Sequence, residues 1–140
     1  MYLTPFLANV LLDVLLERAE QLAAFRRIWE AVEGGLVHGV VPAHGFTTIF
    51  YLARQQRDRD FATQVVRKLL QVFEVAPISG AVLREAAELG FRDFEDAVCA
   101  AAGRSSGCEV IVTRDRTGFA GSPLAVLDPE GALALIGQSH

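Results

Sequence analysis

The chain has 140 residues and a mass of 15.2 kDa, which suits one domain with a continuous core over residues 1–140. Apolar residues at 51% and charged residues at 21% exclude a disordered chain, and no apolar run approaches the roughly 20 residues that cross a bilayer. A formal net charge of −4 excludes a protein that holds nucleic acid through a broad basic surface, so any contact with RNA has to be local.

The stretch Met1 to Val14 is apolar, but it lacks the basic start of a secretory signal and carries Asp13, so a cytoplasmic location is expected. From Val10 to Glu33 the residues Leu12, Leu15, Leu16, Ala19, Leu22, Ala23 and Trp29 recur at helical spacing, predicting a long amphipathic helix ended by Gly34 and Gly35. Leu36 to Val41 reads as a short strand closed by Pro42, and a helix follows from about His44 to Gln56. After a polar turn at Arg57 to Asp60, Phe61, Val65, Val66, Leu69 and Phe73 mark a further helix. Phe73 to Ala76 fits a short strand, Pro77 to Gly80 a turn, and Ala81 to Leu89 a helix interrupted by Gly90.

Asp93 starts the next helix, with Phe94, Ala97, Val98 and Ala101 as its apolar stripe and Gly103 to Gly107 as its end. The β-branched run Val110, Ile111 and Val112 predicts a strand covered on both faces, and Leu124 to Leu127 repeats the pattern. Asp128-Pro129-Glu130 is a helix start, with a capping acid, proline at the first helical position and an early glutamate. Strands alternating with helices imply a parallel sheet flanked by helices, with functional groups beyond the carboxyl ends of the strands. Cys99 and Cys108 are expected as reduced, buried thiols rather than a disulfide.

Two places bring carboxylates to that edge. Asp93 and Asp96, three residues apart, share one helix face, and Asp115 follows Thr113 just past the strand Val110 to Val112. A few carboxylates plus water suit Mg²⁺ or Mn²⁺, and a bound cation activates water and neutralises phosphate charge. The same residues also have a plain structural reading: Asp93 as a helix cap, Asp96 as a solvated first-turn acid, Asp115 as a turn former. Asp13 interrupts an apolar run and shares a helix face with Asn9. The histidines at positions 38, 44 and 140 have no zinc-like spacing, although His44 could hydrogen-bond a site group near its helix start. Arg54, Arg57, Arg59, Arg67 and Lys68 form either a patch for RNA backbone or a solvated face with salt bridges to Asp58 and Asp60.

Four stretches together resemble the PIN domain, the ribonuclease fold of bacterial toxin–antitoxin pairs: Phe6 to Asp13, Ala43 to Leu52, Asp93 to Val98, and Val112 to Asp115 with Phe119. The closing stretch Pro123 to Leu133 is similar too. The resemblance implies a three-layer α/β/α sandwich with a central parallel sheet. It also implies Mg²⁺- or Mn²⁺-dependent endonuclease action on single-stranded RNA, a homodimer and a small antitoxin partner.

Carried over by position, Asp96 and Asp115 match the principal acids, Asp93 an extra acid of one subgroup and Asp13 a second acid of the first motif, with Asn9 and Thr113 in support. The chain departs from the pattern at Leu7, Thr48 and Gly118, where acids are usual, with His44 available beside Thr48. Either the remaining acids form a working nuclease site, or this is a catalytically weak PIN module that binds RNA or a protein partner.

Overall fold

The computed structural model describes residues 2–5, 23–113 and 116–139, so Leu7, Asn9, Asp13, Asp115 and the first part of the predicted long helix lie outside the described residues. The elements in chain order are β1 (Tyr2–Pro5), α1 (Ala23–Glu33), β2 (His38–Pro42), α2 (Ala43–Gln56) and α3 (Arg59–Val72). Then come β3 (Glu74–Ala76), α4 (Gly80–Glu88), α5 (Phe94–Ser105), β4 (Val110–Val112), a 3₁₀ turn at Thr117–Phe119, β5 (Ala125–Leu127) and α6 (Pro129–Ser139).

Among the described residues the strands form one sheet in the order β3-β2-β1-β4-β5, and every pairing is parallel. Leu3 is in register with Val110, and Val112 with Leu127. The alternation of side chains across a strand divides the core. Val110 and Val112 pack with residues of α1, α2, α3 and α6, whereas Ile111 faces the opposite side with α5 and Phe119. Val41 and Val40 split in the same way, Val40 joining α4 and α5. The result is the expected three-layer α/β/α sandwich.

Local chemistry fixes the helix ends. Asp58 caps α3 by accepting from Phe61 N–H, Ser79 caps α4 through Val82 N–H, and Asp128 accepts from Gly131 N–H at 2.7 Å, as the Asp-Pro-Glu signal predicts. The α5 terminus has the paired bonds of a Schellman ending, Cys108 N–H to Gly103 C=O at 2.9 Å and Gly107 N–H to Arg104 C=O at 3.1 Å. Gly107 supplies the left-handed backbone this ending needs, with φ 82°.

Two sequence expectations are revised, and one strand carries no sequence signal. Tyr2–Pro5 is a strand at the centre of the sheet, although no turn signal sets it apart within the apolar N-terminal run. From Ala97 to Gly103 α5 is buried on every side, because alanine, cysteine and glycine let both sheet and helix approach closely, while Phe94, assigned to the stripe, is 53% exposed. The basic residues pair differently from expectation: Lys68 reaches Glu33, Arg57 lies over the Phe61 ring, and Asp58 is used as a cap. Cys99 and Cys108 are free and buried.

On β2, a Cβ built at Gly39 would stand 2.5 Å and 2.7 Å from two ring atoms of Phe73 and 3.0 Å from Val32 Cγ1. Trp29 meets the Phe73 ring edge-on at 5.0 Å, so the ring has little room to retreat. Gly39→Ala is expected to destabilise the protein by about 1–3 kcal/mol through overpacking, measured by urea denaturation; an unchanged midpoint would mean that the α1–α3 layer is loosely packed.

Candidate functional site

Parallel strands place their carboxyl ends along one edge, and of the polar residues singled out in the sequence His44, Thr48, Asp93, Asp96 and Thr113 lie among the described residues. Pro42 ends β2 and leads directly into α2, which puts His44, Thr47 and Thr48 in the first turns of that helix. Val112 ends β4, and Thr113, 1% exposed, donates its backbone N–H to Leu127 C=O at 2.9 Å. Helix α5 runs back towards the start of β4, so its N-terminus lies at the carboxyl edge, where it carries Asp93, Glu95 and Asp96.

Asp93 caps α5: its Oδ1 accepts from Asp96 N–H at 3.1 Å. This agrees with the plain reading of Asp93, and it leaves the second carboxylate oxygen outside that bond. Glu95 reaches across to α2, where Thr48 Oγ1 donates to Glu95 Oε1 at 3.3 Å and is also 3.4 Å from His44 C=O. Asp96 is half-buried, whereas Asp93 and Glu95 are exposed.

Beneath the acids lies Cys99, whose Sγ is 3.3 Å from His44 Nε2. Burial pushes the Cys99 thiol far up, and the charges of Asp96, Glu95 and Asp93 add to the shift, so the group stays a neutral thiol. The thiol and Nε2 share one hydrogen bond, and the other ring nitrogen of His44, Nδ1, is buried without a hydrogen-bond partner. Asp96, Glu95 and Asp93 are thus all near enough for their charges to act on this sulfur.

The donors here are carboxylate and hydroxyl oxygens, the set a hard divalent cation prefers to sulfur. Among the described residues no three histidine, cysteine, aspartate or glutamate side chains stand together closely enough to hold a metal ion. Asp93 and Asp96 supply two carboxylates of the type such an ion prefers.

The structure thus sets Asp93 and Asp96 at the start of α5, one turn before Cys99, which touches His44 of α2, and Thr113 just past the end of β4. Sequence reasoning missed Glu95 and Cys99. Their partners, Thr48 and His44, are 47 and 55 residues distant, and no local spacing announces such a contact.

Asp93→Asn is expected to preserve thermal stability, since asparagine caps as well as aspartate, while Asp93→Ala costs about 1 kcal/mol; equal losses in both would show that the charge, not the cap, stabilises α5. Cys99 should resist iodoacetamide in the folded protein, tested in a Cys108→Ala background, even at a pH where ordinary thiols ionise. It should react once urea unfolds the chain, and rapid labelling of the folded state would refute the neutral-thiol assignment.

Comparison with known proteins gives a coherent result. The sequence profile of the PIN domain family matches residues 8–117. No curated protein matches the chain by sequence. Among solved structures, PAE2754 from Pyrobaculum aerophilum is similar with a TM-score of 0.61 and 26% identity, covering 98% of this chain and 89% of its own. A toxin–antitoxin complex from Klebsiella pneumoniae gives 0.66 at 20% identity, covering 92% of this chain and 98% of its own. The sarcin–ricin-loop-cleaving toxin VapC20 of Mycobacterium tuberculosis gives 0.61 at 13% identity, covering 79% and 87%.

Proposed function

The chain belongs to the PIN domain family, and on that premise we propose that it is a metal-dependent endoribonuclease, the toxin of a toxin–antitoxin pair, acting on single-stranded RNA in the cytoplasm. The observation that carries this reading is the convergence of Asp93, Glu95 and Asp96 at the N-terminus of α5, facing α2 at the carboxyl edge of the sheet. The RNA-cleaving activity of VapC20 and the antitoxin in the Klebsiella complex lend support by fold similarity.

In this reading Asp96, Asp115 and Asp93 hold Mg²⁺ or Mn²⁺, with Asp13 auxiliary and Asn9, Thr113 and His44 in support. The ion, when bound, lowers the pKa of water and offsets phosphate charge. The protein's own residues do the positioning. Asp93 fixes the first turn of α5 and hence the direction of Asp96, and Thr48 holds Glu95 against α2. Cys99 fills the floor as an uncharged group that adds nothing to the repulsion among the acids. A homodimer that also binds a small antitoxin completes the proposal. Among the described residues no helix is long and apolar enough to cross a membrane.

Leu7 favours a second reading, a PIN module with weak or no turnover that binds RNA or a protein partner, because an alkyl side chain supplies no donor where the family places an acid. Cleavage of single-stranded RNA with Mn²⁺ separates the two. Turnover should be abolished by EDTA and reduced by at least roughly a hundredfold in Asp96→Asn, since removal of an essential charged ligand is among the largest single-residue effects. Undiminished cutting under either condition would reject metal-dependent chemistry at Asp96, and no cutting by the unaltered protein would favour the binding module.

A further inference from the structure

Among the described residues, the large apolar side chains that are more than two-fifths exposed are Leu36, Tyr51, Leu70, Val75, Leu83 and Phe94. Two of them are aromatic, Tyr51 at 59% and Phe94 at 53%. On α2 the positions of His44, Thr48, Tyr51 and Gln55 fall on one face at intervals of four, three and four residues. Tyr51 is therefore one turn beyond Thr48, and Thr48 is bonded to Glu95, the residue next to Phe94. Gln55 donates to the Tyr51 hydroxyl at 2.9 Å, which limits the rotation of an otherwise solvated ring. Phe94 opens a helix whose residues are buried from Ala97 to Gly103, yet it stays in water.

Building on the ribonuclease reading, we propose that Tyr51 and Phe94 are stacking platforms for unpaired bases of the RNA on either side of the acidic site. Asp93, Glu95 and Asp96 repel phosphate wherever no cation offsets them, and the two exposed rings carry no charge, so the contact these rings offer RNA is with its uncharged base faces. Aromatic side chains supply that contact without regard to base identity, and they select single strands, because a duplex hides its base faces in the stack.

The test is fluorescence anisotropy with a labelled, unstructured oligoribonucleotide, using the full chain carrying Asp96→Asn in Mn²⁺ so that it survives binding. Tyr51→Ala and Phe94→Ala should each weaken affinity roughly tenfold or more. Tyr51→Phe and Phe94→Tyr should stay close to the parent, and the salt dependence should be unchanged by all four, because no phosphate contact is removed. A duplex of the same sequence should bind more weakly than the single strand. Parent-like binding by both alanine variants overturns the stacking role and leaves the ribonuclease reading intact. Parent-like RNA binding accompanied by a loss of oligomer mass in sedimentation also overturns it, and assigns the rings to a protein interface. An unaltered chain that neither binds nor cuts RNA overturns both readings.

Discussion

Val110 and Val112 pack against one helix layer and Ile111 against the other, so β4 has no face in water, and a strand enclosed in this way can present polar groups only at its ends. Its parallel pairing with β1 and β5 then fixes which end faces the polar residues, because all carboxyl termini share one edge. The sheet cannot slip by one residue without turning Ile111 into the wrong layer, and that register also fixes Thr113 at the rim. A site at this edge is therefore held in place by hydrophobic packing several residues away from it.

Helix α5 answers the same constraint from the other direction. Its run of alanines, with Cys99 and Gly103, lets the helix lie close to the sheet, and its N-terminus then delivers three acids within one turn to the carboxyl edge. The helix dipole favours negative charge there by about 0.3–1 kcal/mol per group, and Asp93 adds a cap bond. These terms offset only part of the mutual repulsion of three carboxylates. Burial first, and then the charges of Asp96, Glu95 and Asp93, push the thiol of Cys99 up, so this helix end carries a negative potential.

Much of this was legible in the sequence, for identifiable reasons. The strand β4 announces itself by three β-branched residues in a row, α6 by Asp128-Pro129-Glu130, and the pair Asp93 and Asp96 by their spacing on a helix. Each signal is local. What escaped notice depends on tertiary neighbours. Tyr2–Pro5 sits mid-sheet without a boundary to mark it, and Glu95 acquires its role only when α2 and α5 meet. Phe94 fits the helical period of the core stripe, but the first position of α5 lies beyond the cover that the sheet gives to Ala97 and its successors. The pairing of Lys68 with Glu33 joins two helices whose contact no charge pattern reveals.

The departures at Leu7 and Thr48 bear on how an acidic protein could handle a polyanion. Each carboxylate at the edge raises affinity for a divalent ion but also raises the repulsion that a phosphate meets, and at a few ångströms that repulsion is poorly screened, since the Debye length at physiological salt is about 8 Å. A leucine in place of one acid and a threonine in place of another lower both terms together. Thr48 does not leave its place empty, because it draws the Glu95 carboxylate to the face of α2. In the proposed ribonuclease reading, fewer fixed charges mean that more of an ion's coordination comes from water. Neutral surface then gains weight in holding RNA, and the exposed rings Tyr51 and Phe94 are such surface.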